Sequence, residues 1–378
     1  MRIGIVYETT YPEFKGGVER WFFELSKGLS EKSFQVSYLN TVGRVSTQEN
    51  LRYQEIGNSK HSFHKTGERS SRNILVFAIS VFRSIRHKEY DVLYLSSFPF
   101  LHIWAARIVQ ILFRRKYRIY VEWFELPNLR YWKEEFGCII GFLGFSLQQL
   151  TVRVSDVNVA YLESTFKQLS LMRKSEKSTL KLPGICMDEE KPVSSLVISE
   201  REDVSQIGRL TKDKQPILGL EAIRLLRETG WNGHFHLLGS GPMESDVASY
   251  IHENKMNHYV STYGDGTEQI KTEILNKTGV LLHPSKREGF GLAIVEAAAL
   301  GIPTLLIRSE NNKSTELGIN PGLVSETNNA IELAALLQLA LHTQSKLSSE
   351  CLSWNELVRS SMRSVDSITK LADHLKSI

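Results

Sequence analysis

Two carboxylates, Glu288 and Glu296, stand with seven residues between them around a Gly289-Phe290-Gly291 turn that opens an apolar helix pattern. Glycine at 289 and 291 permits positive φ and close backbone approach to a ligand. The amides of Phe290, Gly291 and Leu292 fall at the helix start, where backbone N–H groups lack partners and an anion such as a diphosphate is favoured. The two carboxylates are therefore spaced to touch two parts of one extended, partly anionic ligand. Each taken alone also fits a capping or solvated helix glutamate.

Three other loops carry groups of the same kind. Ile207-Gly208-Arg209-Leu210 is followed by Lys214, so two cations five residues apart follow a strand and precede a helix. A guanidinium fork and an ammonium point charge suit a pair of phosphates, although surface loops often carry two basic residues. Gly16 and Gly17 open a helix after the first strand, a place for a phosphate or sugar contact. That loop lacks both the GK[ST] of a Walker loop and the GxGxxG of a dinucleotide fingerprint. Gly239 and Gly241 form a turn at a strand end, in Leu238-Gly239-Ser240-Gly241-Pro242.

The elements that must position these residues alternate. In the first half the pattern predicts strands at Ile3–Tyr7, Gln35–Asn40, Val92–Leu95, Ile119–Glu122 and Asp156–Ala160. Helices are expected at Val18–Leu29, Ile74–Arg86, Leu101–Phe113, Leu143–Val154 and Ser164–Leu171, the last capped by Ser164. Residues 43–72 are polar and aperiodic and read as a loop or weakly structured insertion. The second half restarts: strands at Val204–Ile207, His234–Leu238, Val260–Tyr263, Val280–His283 and Thr304–Ile307 alternate with helices. A hinge is expected at Leu182–Lys191, and the tail from Ser353 is amphipathic. Two such alternations predict an α/β protein of two doubly wound, Rossmann-like domains, with ligands outside the carboxyl ends of the strands and a cleft between the domains as the site.

The order IGRL…K, LLGSGP, HPSKREGFGLAIVEAAALGIP and Ser353-Trp354 plus helical tail resembles the retaining sugar-nucleotide glycosyltransferases of family 4, which have the GT-B fold. The resemblance runs along the whole chain and is strongest over residues 204–303. It implies an acceptor-side domain at 1–186, a nucleotide-sugar donor domain at 187–354, and a helix at 355–378 packing back on the first domain. It assigns Arg209 and Lys214 to the donor diphosphate and Glu296 to the ribose. Glu288 and the amides of Phe290, Gly291 and Leu292 go to sugar and phosphate, with Gly16, Gly17, Gly239 and Gly241 as further donor contacts. The implied reaction is transfer of a hexose-type sugar to a glycan or lipid-linked acceptor with retention, needing no metal or other cofactor.

Two positions depart from that pattern. The family often has a histidine after the strand that here is Arg118–Val121, and this chain reads Val121-Glu122-Trp123-Phe124-Glu125. Glu122 and Glu125 are the nearest polar groups and are candidates to face the acceptor as catalytic carboxylates; pairing with Arg118 or Arg130 is the competing role. The usual Asn-Gly before the hinge is replaced by Pro183-Gly184. The missing histidine also suits a non-catalytic sugar-nucleotide-binding or partner subunit of the same fold.

Composition narrows the partners. The chain has 378 residues, with 42% hydrophobic and 23% charged residues, values of an ordinary globular protein rather than a disordered chain or membrane bundle. Three scattered cysteines exclude a disulfide framework and favour a reducing cytosol. The start, MRIGIVYETTYP, reads as a strand and loop rather than a leader. Net charge is +4, but residues 1–190 hold 27 Lys+Arg against 20 Asp+Glu, so the first half is basic. Clusters at Arg83–Lys88 and Arg114–Arg118, with the uncharged stretch Phe136–Val152, point to an anionic membrane surface as a partner and to a cytoplasmic, peripheral location. A nucleic-acid partner would explain the basic half but not Glu288 and Glu296, and is not expected.

Overall fold

Arg2–Val6 forms the first strand (β1) because Ile3, Ile5 and Val6 are β-branched and buried on both sheet faces, as a central parallel strand requires. The computed structural model describes residues 1–14, 16–41, 46–48, 50–57, 71–175, 178–186, 201–317 and 323–378. These divide into two compact units, Met1–Met187 with Met362–Ile378, and Asp188–Ser361.

In unit 1, β1 is followed by α1 (Gly17–Glu31), β2 (Gln35–Asn40), β3 (Ser46–Gln48), β4 (Leu51–Glu55) and α2 (Ser71–Ile85). Next come β5 (Val92–Ser96), α3 (Leu101–Leu112), β6 (Arg118–Trp123), α4 (Leu129–Phe136), α5 (Cys138–Val154), β7 (Val157–Ala160), α6 (Glu163–Arg173) and β8 (Thr179–Lys181). The strands make one sheet in the order β3-β4-β2-β1-β5-β6-β7-β8, parallel except for β3. Strand order reverses at β1, so the loop leading into α1 leaves the sheet at its switch point.

Unit 2 contains β9 (Asp203–Ile207), α7 (Pro216–Glu228), β10 (Phe235–Leu238), α8 (Glu244–Glu253), β11 (Val260–Thr262), α9 (Glu268–Lys277) and β12 (Thr278–His283). It continues with β13 (Arg287–Glu288), α10 (Leu292–Ala299), β14 (Thr304–Ile307), β15 (Asn311–Asn312), β16 (Val324–Ser325), α11 (Ala330–His342) and α12 (Gln344–Ser361). Its main sheet runs β11-β10-β9-β12-β14-β16, all parallel, with β9 and β12 adjacent at the switch point. The chain then returns to unit 1 as α13 (Ser364–Lys376), which packs on α1. There Ser367 accepts from the Gly184 amide at 2.9 Å and Cys186 exchanges backbone hydrogen bonds with Met362 and Ser364.

Several local expectations change. The stretch 43–72 is not simply a loop: it holds β3, β4 and the start of α2. Leu51 and Tyr53 are buried on alternate positions of β4, a period of two too short to stand out among polar neighbours. Residues 43–45, 49 and 58–70 of that stretch lie outside the described residues, as do 187–191 of the expected hinge. Ser164 does not cap α6, which starts a residue earlier after Leu162 without a side-chain cap. α5 begins at Cys138 rather than Leu143, separated from α4 by Gly137. Residues 355–361 remain within α12 of unit 2, so the segment rejoining unit 1 starts at Met362.

Candidate active site

In unit 2 the loops after β9 and β12, the two central strands, carry the groups singled out in the sequence. Lys214 ends a 3-10 turn (Lys212–Lys214), and the Lys286 amide donates to the Asp213 carbonyl at 2.8 Å, stitching one loop to the other. This brings the Lys214 Nζ to 2.6 Å from the Glu288 Oε2, and Nζ also donates to the Arg287 carbonyl at 3.2 Å. Glu288 is fixed in turn by β13, which pairs with β15, and by Asn312, whose Nδ2 donates to the Ser285 and Ile307 carbonyls.

His283, at the end of β12, completes the cluster. Its Nε2 lies 2.8 Å from the Glu288 Oε2 and 3.1 Å from the Ser285 Oγ. An ionised carboxylate only accepts, so the Nε2–H form donates to Glu288. Burial pushes the Glu288 carboxyl up, but the Lys214 ammonium and the His283 hydrogen bond outweigh it and hold it well below the usual carboxylate range. Glu288 is therefore an anion, clamped from two sides.

Gly291 follows in the left-handed conformation (φ 75°) as N-cap of α10, which glycine adopts without penalty. Its carbonyl accepts from the Ile294 and Val295 amides, while Phe290 packs into the core and Leu292 is half-buried. The N-terminus of α10 follows Glu288 across the Gly289–Gly291 turn. Glu296 lies one turn into the helix, half-buried, with both oxygens within 3.2 Å of the Lys271 Nζ from α9. Burial pulls the Lys271 ammonium down, and Glu296 and Glu268 more than offset this.

Arg209 is exposed at the tip of the loop after β9. That loop is zipped to the next: Gly208 and Leu210 donate to Leu238 and Ser240, and Gly239 donates to Gly264 at 2.8 Å. A side chain at Gly239 would collide with the Gly208 carbonyl, so the two loops approach only through glycine. The structure thus joins Lys214 to Glu288, and Arg209 to the Gly239–Gly241 turn.

In unit 1, Gly16 caps α1 and Gly17 is its first residue. The place where a Gly16 side chain would project is taken by the Glu19 carboxylate, which accepts from Thr9 at 3.0 Å. Glu125 is half-buried in the loop after β6. Glu122 requires a correction. It sits within β6 with no exposed area, accepting from the Trp21 Nε1 at 2.5 Å and from the Tyr161 hydroxyl. Facing both ways into a parallel sheet covered by helices, β6 turns this carboxylate inward, so it does not face an acceptor. Burial drives its pKa well up against the Trp21 hydrogen bond.

Sequence reasoning gave no role to His283 or Lys271. The first had a signal, a histidine at the carboxyl end of a central strand five residues before Glu288. The second had none, since Lys271 meets Glu296 only through the packing of α9 beside α10.

Residues 187–353 match the family model "Glycosyl transferases group 1", and residues 1–64 match a domain of unknown function, DUF3492. The chain is similar to a Salmonella typhimurium protein named for colanic acid biosynthesis, the glycosyltransferase WcaL (30% identical over 142 residues, 36% of this chain and 35% of that one). It is also similar to the amylovoran biosynthesis glycosyltransferase AmsK of Erwinia amylovora (26% identical, 35% of this chain and 34% of that one). The matched stretch spans about a third of these relatives' length. Among solved structures, Anabaena Alr3699/HepE in complex with UDP and glucose superposes with a TM-score of 0.72 at 15% identity, covering 100% of both chains. Sucrose-phosphate synthase from Thermosynechococcus elongatus gives 0.77 at 15% identity, covering 100% of this chain and 98% of that one. The fold is that of the GT-B glycosyltransferases, with two Rossmann-like sheets.

Proposed function

We propose that the chain is a retaining glycosyltransferase that moves a hexose from a nucleoside-diphosphate sugar to a glycan or lipid-linked acceptor at the cytoplasmic face of a membrane. The observation that carries this is the Lys214–Glu288 pair set directly before the N-terminus of α10, at the switch point of unit 2. Substrate cleavage at the anomeric carbon leaves a nucleoside diphosphate whose charge grows in the transition state. Lys214, Arg209 and the amides of Gly291 and Leu292 are positive groups held in place to meet it. Gly239 and Gly241 set the neighbouring loop against that of Arg209, the Phe290 amide is a further proposed donor contact, and Gly16 and Gly17 are proposed donor contacts from unit 1. Glu288 orients the sugar, Glu296 holds the ribose, and Glu125 is the acceptor-side carboxylate.

HepE, crystallised with UDP and glucose, makes UDP-hexoses the first donors to test. Incubation with UDP- and GDP-sugars and membrane lipid extract, with products read by mass spectrometry, tests the transfer. The anomeric coupling constant of the product tests retention. Transfer should survive EDTA, since the charge is met by protein groups. Turnover with inverted product, or none with any sugar nucleotide, would overturn the reading.

A further inference from the structure

We propose that unit 1 lies on an anionic lipid surface through the outer face of α2, α3 and α5, with apolar side chains entering the headgroup region and a basic margin gripping lipid phosphates. The three helices follow right-handed crossovers β4→β5, β5→β6 and β6→β7, all in one direction across the sheet, so they cover the same face. α1, from β1 back to β2, covers the other. Neighbours in the layer are tied together: the Trp104 Nε1 of α3 donates to the Thr151 Oγ1 of α5 at 3.0 Å, and Phe82 of α2 meets the Phe113 ring after α3 at 6.0 Å.

Each helix turns an apolar stripe to solvent. On α2 it is Leu75, Val76 and Ile79, and on α3 Ile108, Ile111 and Leu112, the last two 68% and 66% exposed. On α5 it is Ile139 (78%), Ile140 (65%), Phe142 and Leu143. The stripes of α2 and α3 lie level, since Phe82 meets Phe113, while that of α5 stands at the other end of the layer, since Thr151 is level with Trp104; soluble surfaces rarely leave so many large apolar side chains exposed on one layer. None of the three helices contains an acidic residue.

Because the helices run parallel, their C-terminal ends share one margin, and each ends in cations. Arg83 and Arg86 stand at the end of α2, Arg114 and Arg115 after α3, and Arg153 on the last turn of α5. The Arg115 Nε donates to the Arg86 carbonyl at 3.1 Å, so the two basic clusters form one patch. The exposed carboxylates on this side belong to α4, where Glu134 pairs with Arg130 and Glu135 follows it; an apolar face with a cationic edge is the signature of an interfacial helix layer. Among the described residues no helix is long and apolar enough to cross a membrane.

This deepens the membrane part of the proposed function and rests on it; transfer of sugar to a water-soluble acceptor, assayed without lipid, fails or succeeds independently. The full chain should co-sediment with vesicles of equal parts phosphatidylcholine and phosphatidylglycerol, and not with phosphatidylcholine alone. Ile139→Ser with Leu143→Ser, or Ile111→Ser with Leu112→Ser, should lower partition about tenfold or more. Arg114→Ser should lower it about fivefold. High salt should weaken binding without abolishing it, because the apolar part is unscreened. A second readout needs no substitution: Cys138, at the start of α5, is exposed while Cys186 and Cys351 are buried. A polarity-sensitive dye on Cys138 should shift to the blue on adding the anionic vesicles. Absent sedimentation, an unshifted dye, or serine variants that bind like the wild type would overturn the proposal. So would a lipid-free dimer that those variants convert to monomer, which would assign the face to a second copy.

Discussion

Lys214 and Glu288 form a closed ion pair, so a donor diphosphate must compete with Glu288 for the same ammonium. Lys214→Ala should weaken nucleoside-diphosphate binding by about 1.5–3 kcal/mol, the scale of a charge-assisted hydrogen bond. Glu288→Gln releases Lys214 and should leave that affinity equal or tighter while lowering kcat. Glu296→Ala should instead raise the donor KM. Calorimetry and steady-state kinetics separate these outcomes; equal small effects on both parameters would make the two carboxylates structural. Glu122 allows a test of a different kind. Its pKa is raised in the fold, so the folded state holds a proton that the unfolded chain releases above about pH 4.3. Its contribution is complete below that pH and declines as pH rises toward its folded value, by about 1.4 kcal/mol per unit. Glu122→Gln should remove this slope from urea-unfolding stabilities measured between mildly acidic and neutral pH.

Elements differ in how plainly the chain announces them. Strands such as β5 and β12 are fully buried apolar runs and could be read directly. β4 could not, because its five residues alternate Leu51, Arg52, Tyr53, Gln54 and Glu55 and gain their identity only by pairing with β2. Gly289-Phe290-Gly291 announced the turn before α10, since glycine spacing ahead of an apolar helix has few other uses. The inward turn of Glu122 was not legible: alternation fixes which residues share a face, but not that Trp21 from α1 and Tyr161 after β7 would enclose that carboxylate. The left-handed Gly291 makes the turn vulnerable. Gly291→Ala should cost about 1–2 kcal/mol in stability and, by shifting the first amides of α10, a larger share of nucleotide binding, both measurable by thermal shift with and without UDP.

At the scale of the whole molecule, unit 1 is assembled from two distant stretches of chain. Ile368, Leu371 and Leu375 of α13 are buried, and Gly28 of α1 leaves room for Ile368. Burial of three such side chains contributes about 1.5–3 kcal/mol each. Deleting 364–378 should therefore unfold unit 1 while unit 2 keeps its hydrogen-exchange protection. The same arrangement sets a schedule for synthesis. Ribosomes deliver about 5–20 residues per second, so the partner of α1 emerges only after all of Asp188–Ser361 has been made. During those roughly ten seconds or more the nascent first unit carries an unfilled apolar slot, a natural holding site for a chaperone until the closing helix arrives.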